Sequence, residues 1–268
     1  MRIDIWLVEN GFAPSRQKAQ ELIATGRVFQ RDARGAKRPI NKPSYIVTDD
    51  FSAGIHVEAA VGPQFVSRGG QKLFGAVSSL GLSSHFKDAT VLDVGISTGG
   101  FSDCAFQLGA RRVVGIDVGH GQLAASLRSD PRLTHFEGVN ARELAQMKEK
   151  IVLSNGGELF DFIVVDVSFI SLKLILPSLT SFLKESSAGS AGRLVALVKP
   201  QFEVGREGLG RGGIVKDVTL YPKVEASLRD VCASLGLRVE SYVDSPILGS
   251  DGNREFFIYA TVPQLGLF

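Results

Sequence analysis

The sequence contains little cysteine and no long apolar segment. Among its 268 residues are two cysteines, Cys104 and Cys232, which are far apart and lie in no C-x-x-C motif. This spacing excludes a disulfide framework and gives no zinc signature. We also assign no metal to the four histidines, because they lack metal-ligand spacing: His56, His85, His120 and His135.

No uninterrupted apolar run approaches the roughly 18 residues that a membrane span needs. Charged residues interrupt the apolar N-terminus, so no export signal is visible. We therefore expect a cytoplasmic protein with reduced thiols and no membrane contact. Hydrophobic residues form 44% of the chain and charged residues 22%, a composition typical of globular proteins that bury a sizeable core.

Positive charge is concentrated near the N-terminus. The formal net charge of the whole chain is only +2, but residues 16–42 contain eight basic and two acidic residues, a local net charge of +6. Such a bias favours a polyanionic partner. The alternative is an ordinary solvated surface without a partner.

The first 60 residues have the pattern of a small α+β domain. Apolar residues at helical spacing predict one helix that ends before Gly11, and a second between an N-cap at Ser15 and a stop at Gly26. Short β-favouring runs follow at residues 28–30, 45–47 and 55–57.

The motif of this segment, Arg2-Ile-Asp-x-x-Leu followed by Gly11-Phe-Ala-x-Ser15-Arg16, resembles the RNA-binding domain of the ribosomal-protein-S4 type. In that family, basic residues of the helix pair contact RNA. The resemblance therefore implicates Arg2, Arg16 and Lys18 in RNA binding. Such a domain positions a partner domain on RNA, and its presence alone does not indicate which reaction the protein catalyses.

A larger domain is expected at residues 67–268, after a linker with a Gly-Pro break at residues 61–66. Apolar β-rich runs there alternate with longer segments of helical pattern, at 90–94, 112–116, 133–136, 160–166, 194–198, 238–243 and 256–261. This alternation predicts an α/β fold whose mainly parallel sheet carries helices on both faces. Ligands of such sheets bind at the carboxyl ends of the strands.

The first of these runs ends in Asp93-Val-Gly-Ile-Ser-Thr-Gly-Gly-Phe101, a loop whose glycines permit close backbone approach to a ligand. It departs from a dinucleotide G-x-G-x-x-G motif at Ser97, and the charge of Asp93 would repel a pyrophosphate. A cationic ligand such as S-adenosylmethionine fits better. The cofactor-binding candidates are Asp93, Gly95, Ser97, Gly99, Gly100, Phe101, Asp117 for the ribose and Asn140 for the adenine edge. Two alternatives remain open: Asp93 caps the loop, or the enzyme is an NAD-dependent dehydrogenase.

Four further polar residues follow the order Lys, Asp, Lys, Glu along the chain: Lys72, Asp166, Lys199 and Glu255. Each could be a simple surface residue at the end of an element. Together they resemble the Lys-Asp-Lys-Glu tetrad of FtsJ-type ribose 2′-O-methyltransferases. We hypothesise that Lys199 accepts the proton of the 2′-hydroxyl or stabilises the oxyanion with the help of Lys72, and that the two acids orient the lysines.

Taken together, the chain resembles the TlyA (haemolysin A) family. The shared motifs include Asp166-Val-Ser-Phe-Ile-Ser and Val198-Lys-Pro-Gln-Phe-Glu. The resemblance implies a Rossmann-like, S-adenosylmethionine-dependent methyltransferase that acts on ribosomal RNA or ribosomal subunits; no protein partner is predictable. At Ile96 relatives often have alanine, and the bulkier side chain could narrow the cofactor site.

Two alternatives of other classes compete with an enzyme. A non-catalytic ribosome-binding or assembly factor would keep the folds, but the complete tetrad argues against it. A haemolysin-like membrane-active protein would need a long apolar span or a strongly basic amphipathic helix, and neither is evident in the sequence.

Overall fold

The computed structural model describes residues 1–24, 26–32, 35–48, 54–58, 62–186, 191–249 and 251–263. The chain divides into two compact units, Met1–Gln64 and Phe65–Phe268. The division falls within the segment that the sequence suggests as a linker. We describe each unit by itself.

The N-terminal unit consists of a helix pair and a small antiparallel sheet. The helices are α1 (Ile3–Glu9) and α2 (Arg16–Ala24), and the Ser15 hydroxyl accepts a hydrogen bond from the backbone N–H of Lys18 at 3.3 Å, as expected of an N-cap. The sheet has the order β2-β1-β3, with strands β1 (Val28–Arg31), β2 (Lys37–Pro39) and β3 (Ile55–Val57). Apolar residues of both helices and of the sheet form its core, among them Ile3, Leu7, Ala19, Ile23 and Val28.

One strand prediction in this unit is wrong. Residues 45–47 form no strand; Ile46 makes a single bridge to Arg2 and remains 59% exposed. The third strand of the sheet is instead Lys37–Pro39, whose residues are all exposed. Because this strand lies at the sheet edge and buries no apolar face, it has no hydrophobic pattern to reveal it.

The larger unit is built on a mixed sheet. In the described residues the sheet has seven strands, β4 (Thr90–Val94), β5 (Arg112–Ile116), β6 (Leu133–Phe136), β7 (Phe162–Val165), β8 (Arg193–Val198), β9 (Arg238–Asp244) and β10 (Phe256–Thr261). Their order is β6-β5-β4-β7-β8-β10-β9. Strands β4 to β8 pair in parallel, whereas β10 pairs antiparallel with both β8 and β9. The predicted mainly parallel α/β fold is confirmed.

Helices cover both faces of this sheet. They are α3 (Arg68–Ser79), α4 (Gly100–Gln107), α5 (Ala125–Arg128), α6 (Lys148–Ser154), α7 (Leu172–Leu179) and α8 (Leu220–Ser234). In β4, Leu92 and Val94 point into a core shared with α6, α7 and α8. Val91 points into the opposite core, shared with α3, α4 and α5. Burial on both sides explains why the central strands are continuously apolar.

The helices of the described segments are too short or too polar to cross a membrane. The connections at the carboxyl ends of β4, β7 and β8 contain the glycine loop, Asp166 and Lys199, three of the features that the sequence analysis singled out. This edge of the sheet is therefore where a functional site is expected.

Candidate active site

Two ion pairs bring the four predicted tetrad residues together. The first joins Lys72, on the second turn of α3, to Glu255, which directly precedes β10. Lys72 Nζ donates a hydrogen bond to Glu255 Oε2 at 2.5 Å, and both side chains are at least nine-tenths buried. A buried charge of this kind is tolerated only when it is paired.

The second ion pair joins residues that follow adjacent parallel strands. Asp166 comes directly after β7 and Lys199 directly after β8. Lys199 Nζ lies 2.7 Å from Asp166 Oδ1 and donates a hydrogen bond to the Ser168 hydroxyl at 2.8 Å. The Lys199 side chain is 12% exposed, so it is held firmly but remains accessible.

Strand register places the two pairs side by side. In the antiparallel pairing of β10 with β8, Phe256 lies opposite Val198, so the adjacent Glu255 and Lys199 emerge at the same end of the sheet. Helix α3 closes the group, because a Cβ added to Gly69 would lie 3.7 Å from Asp166 Oδ2. The four residues thus meet at one edge, although 183 positions separate the first from the last.

A cleft of about 210 Å³ opens beside this group. Four of the predicted cofactor residues line it: Gly95, Ser97, Gly100 and Phe101. Asp166, Ser168 and Lys199 also line it, together with Ser67 and Gly69. The glycine loop and the second ion pair therefore face the same space.

Gly95 shows why this loop requires glycine. Its φ is +87°, a left-handed conformation that other residues rarely adopt. A Cβ at this position would approach the Asp166 carbonyl oxygen to 2.3 Å. The loop after β4 thus packs directly on the backbone of a tetrad residue.

Asp93 lies beneath the glycine loop and does not line the cleft. It is fully buried, and its Oδ2 accepts a hydrogen bond from the Ser102 hydroxyl at 2.6 Å. Burial, reinforced by the negative charges of Asp166 and Asp117, raises the pKa of Asp93 to about 7. The geometry supports a role in holding the loop against α4, which the sequence left open as an alternative to ligand binding. Direct contact of Asp93 with a cofactor stays a prediction.

Asp117 follows β5 and links it to the glycine loop. Its Oδ2 accepts a hydrogen bond from the Ser97 N–H at 2.8 Å, and its Oδ1 accepts one from Gly119 at 2.7 Å. The carboxylate is half-buried and keeps further lone pairs for a ribose.

The two remaining cofactor candidates make contacts away from the cleft lining. Gly99 packs against α5, where an added Cβ would meet Leu127 at 2.2 Å. Asn140 is exposed and accepts a hydrogen bond from the Arg142 N–H at 3.1 Å, at the start of the 3₁₀ helix Ala141–Met147. A role of Asn140 at the adenine edge stays a prediction.

Ile96 fills the space that a glycine on the next strand leaves open. Its side chain is 5% exposed, and a Cβ added to Gly115 of β5 would approach Ile96 Cδ1 to 2.3 Å. Most of the Ile96 side chain is therefore directed into the protein, although Ile96 also forms part of the cleft wall.

The sequence analysis overlooked Phe169. This residue has φ of +65°, which is strained for an aromatic side chain, and its ring is 92% exposed. The ring lies 5.3 Å from that of Phe202, three residues after Lys199. A phenylalanine in the polar-flanked segment Ser168-Phe-Ile-Ser171 after an apolar strand was the available signal, but backbone strain is not visible in a sequence.

In the N-terminal unit, a buried carboxylate organises the predicted RNA-binding residues. Asp4 is fully buried and accepts hydrogen bonds from Arg2 Nε at 3.0 Å, Arg16 Nε at 2.8 Å and Gln20 Nε2 at 2.9 Å. These contacts, first among them the Arg2 guanidinium, hold the pKa of Asp4 far below its usual value. Both arginine side chains remain largely exposed, and Lys18 lies nearby on α2, half-buried.

A search of the described segments finds no group of His, Cys, Asp and Glu side chains that could hold a metal ion. The cleft does fit a cationic nucleoside ligand. Glycine backbone provides close approach at Gly95, the Asp117 carboxylate suits hydroxyl groups, and the Asp166 carboxylate lines the cleft. S-Adenosylmethionine combines a sulfonium, an amino group and a ribose in one such ligand.

The fold and the site together define an α/β enzyme with a nucleotide-type glycine loop and a Lys-Asp-Lys-Glu group at the carboxyl edge of its sheet. Comparison with known families is consistent with this class. The chain belongs to the FtsJ-like methyltransferase family, which matches residues 65–261, and it is an S-adenosylmethionine-dependent methyltransferase. An S4 domain matches residues 1–29.

Several known proteins resemble the chain over nearly its full length. The 16S/23S rRNA (cytidine-2′-O)-methyltransferase TlyA of Mycobacterium tuberculosis is 39% identical, with 96% of this chain and 88% of the relative covered. Hemolysin A of Brachyspira hyodysenteriae is 34% identical, with 97% and 99% covered. A solved structure from Streptococcus thermophilus with a provisional hemolysin name has a TM-score of 0.70 and 34% identity, over 97% of this chain and 88% of that one.

The contact between Ile96 and Gly115 leads to a testable prediction. Gly115→Ala should destabilise the protein by roughly 1–3 kcal/mol, because it overpacks the space that Ile96 fills. In an Ile96→Ala background the same change should cost clearly less, since Cδ1 and Cγ1 of Ile96 are gone and only its Cβ, at 3.1 Å, remains close. Urea unfolding of the four proteins measures both values. Equal costs in the two backgrounds would show that the contact does not matter, and titration calorimetry with S-adenosylmethionine on Ile96→Ala tests whether Ile96 narrows the cleft.

The burial of Asp93 leads to a second prediction, on pH. The folded-state pKa of about 7 exceeds the ordinary value of 3.8, so the folded protein binds this proton more tightly than the unfolded chain. Stability should therefore fall as pH rises from about 4 to 7, by on the order of 2–4 kcal/mol from this group. Asp93→Asn keeps an acceptor for Ser102 and should remove that part of the fall. Urea unfolding at several pH values compares the two proteins, and parallel curves would contradict the prediction.

Proposed function

We propose that this protein methylates a ribose 2′-hydroxyl of ribosomal RNA. The observation that carries the proposal is the Lys199–Asp166 ion pair at the wall of the glycine-loop cleft. The M. tuberculosis relative is named for this reaction on both 16S and 23S rRNA. We assign the catalytic role to residues 67–268 and RNA binding to residues 1–60.

A ribose hydroxyl is a poor nucleophile at neutral pH, so the enzyme must position it and stabilise the charge that develops on its oxygen. When bound, S-adenosylmethionine supplies an electrophilic methyl group. The Lys199 ammonium has three hydrogen-bond donors; one binds Ser168, and the Asp166 carboxylate lies 2.7 Å away as its ionic partner. In our proposal these two contacts position the ammonium so that a remaining donor can bind the 2′-oxygen.

The buried Lys72–Glu255 pair supports this arrangement from the other side. Lys72 adds positive charge beside Lys199, and Glu255 balances it across a hydrogen bond of 2.5 Å. Because the two side chains are enclosed, their geometry is rigid. In our proposal they shape the electrostatic environment of Lys199 and do not contact the cofactor.

Phe169 suits the base of the target nucleotide. A ribose within a folded RNA must be exposed before its 2′-hydroxyl can reach a cleft, and a displaced base needs a surface on which to stack. The exposed ring of Phe169 lies three residues beyond Asp166 and is supported by Phe202. We therefore assign Phe169 to stacking with the target base.

In the N-terminal unit, we propose that Arg2, Arg16 and Lys18 bind the RNA backbone. Asp4 engages the Nε atoms of both arginines, which fixes the two guanidinium groups near each other. Asp4 therefore holds the Arg16 guanidinium in one orientation, so less side-chain entropy is lost when a phosphate binds to its Nη atoms.

Replacement of Lys199 tests the reaction. Lys199→Ala should lower methyl transfer by at least roughly 100-fold, because it removes the group that holds the 2′-oxygen, while leaving RNA affinity within about twofold. The assay uses labelled S-adenosylmethionine and separated, unmethylated bacterial ribosomal subunits, followed by nuclease mapping of the label. Lys223→Ala, an exposed lysine of α8, is the matched control.

Label at a ribose 2′-oxygen that is lost only in Lys199→Ala would support the proposal. Near-normal turnover of this variant would remove Lys199 from the mechanism. If wild-type protein binds cofactor and subunits but transfers no label, the protein is better described as a non-catalytic ribosome-binding factor.

Replacement of Arg16 tests the RNA-binding assignment. Arg16→Ala should weaken binding to rRNA fragments of different sequence to a similar extent and should reduce the slope of log affinity against log salt by roughly one. Arg238→Ala is the control, since Arg238 begins β9 at the end of the sheet opposite the cleft. An unchanged salt slope in Arg16→Ala would argue against a phosphate contact.

A further inference from the structure

The residues of the second ion pair lie on two separate segments that follow adjacent strands. Asp166 begins the segment 166–171, which leads from β7 into α7, and Lys199 begins the segment 199–203 after β8. The Asp166 N–H still donates to the Val94 carbonyl of β4 at 2.9 Å, but further along the two segments the strand ladder between β7 and β8 has ended. Side-chain contacts can then hold the two segments against each other.

Glu203 makes such a contact. Its Oε2 accepts a hydrogen bond from the Ser171 hydroxyl at 2.6 Å, and its Oε1 accepts one from the Leu172 N–H at 2.7 Å. Lys173 Nζ lies 3.9 Å from Oε2. One carboxylate at the end of the Lys199 segment thus binds the end of the Asp166 segment through two short bonds.

The burial of Glu203 makes this link rigid. Only 2% of its side chain is exposed, and this burial raises the pKa of Glu203 above its ordinary value. An acid in such a place costs free energy that an apolar residue would not. The geometry gives the carboxylate a purpose here, because each of its two oxygens accepts from a different donor of the facing segment.

Phe169 and Phe202 lie in the two segments that Glu203 joins. The left-handed φ of Phe169 is a strained conformation that persists only when neighbouring contacts enforce it. Phe202 contacts the ring itself, the Lys199 bond to Ser168 holds the residue before it, and the Glu203 bonds hold Ser171 and Leu172 after it.

We propose that Glu203 is a positioning residue, which locks the Lys199 segment to the Asp166 segment and thereby fixes the geometry of the Lys199–Asp166 pair. The proposal rests on the proposed function for its consequence, a loss of methyl transfer, but its structural part can be tested without that function. The competing interpretation is that Glu203 only caps the N-terminus of α7 and contributes to stability alone.

The two interpretations predict different behaviour for a set of variants. Glu203→Gln can still accept from the Leu172 N–H, and its amide can donate to the Ser171 oxygen. Both links between the segments are therefore kept, while the charge is removed. Glu203→Ala removes both bonds. Ser171→Ala removes one of the two Glu203 bonds, together with the N-cap bond from the Lys173 N–H, and keeps the bond to Leu172, which provides a milder test if Glu203→Ala fails to fold.

A matched control comes from a second capping acid. Asp217 accepts hydrogen bonds from the N–H and the hydroxyl of Thr219, directly before α8, and it contacts neither of the two segments. Asp217→Ala should lower stability through the loss of a cap and leave the catalytic group unchanged.

The first measurement does not depend on activity. Full-length variants are treated briefly with an amine-acylating reagent, and labelling of Lys199 is followed by peptide mass spectrometry, with the buried Lys72 as internal reference. We expect Glu203→Ala to increase the labelling rate of Lys199 several-fold relative to Lys72, with a smaller increase in Ser171→Ala. Glu203→Gln and Asp217→Ala should match the wild type.

The second measurement is single-turnover methyl transfer to ribosomal subunits at saturating cofactor. Misplacement of the reacting groups should lower the rate constant of Glu203→Ala by roughly ten- to hundredfold, with cofactor affinity unchanged and with rescue in Glu203→Gln. Unchanged Lys199 labelling in Glu203→Ala and Ser171→Ala would overturn the proposal. Altered labelling together with no transfer by any protein, wild type included, would support the positioning role and reject the proposed function instead.

Discussion

The antiparallel pairing of β10 with β8 is the constraint on which the site depends. It sets Phe256 opposite Val198 and so brings Glu255, from near the end of the chain, beside Lys199. Helix α3 then supplies Lys72, whose charge Glu255 neutralises in a buried pair. Each lysine is held by an acid from a different element, and a slip of β10 by one residue against β8 would turn the Glu255 side chain to the opposite face of the sheet.

Three carboxylates lie near the edge of the sheet where a cationic ligand is expected, and one of them, Asp166, lines the cleft. Asp93, Asp117 and Asp166 follow or end three adjacent strands, and the last two contribute to the raised pKa of the first. Asp93 is buried, and this burial, together with the charges of Asp166 and Asp117, raises its pKa. Asp93 binds Ser102 and so holds the loop, whereas Asp166 lines the cleft. Similar residues thus differ in role because they differ in burial and in charged neighbours.

The N-terminal unit uses the same principle with the signs reversed. A buried Asp4 accepts from two arginines, and the arginines remain exposed on their outer sides. Positive charge of this kind also occurs on ordinary solvated surfaces, but here the shared Asp4 carboxylate holds both arginine side chains in place. The order of the groups, and not the number of charges, distinguishes a binding surface from an ordinary one.

The sequence by itself determined the alternation of strands and helices, the glycine loop, the Lys-Asp-Lys-Glu order and the basic N-terminal segment. These features are local, since period, turn residues and charge can be recognised within a few positions. Only the tertiary structure decided that β10 runs antiparallel, that Lys37–Pro39 replaces residues 45–47 in the small sheet, that Asp93 lies beneath its loop, and that Glu203 joins the segments after β7 and β8. Each of these depends on which groups pack or bond together in three dimensions, and such contacts leave no periodic trace in the order of the amino acids.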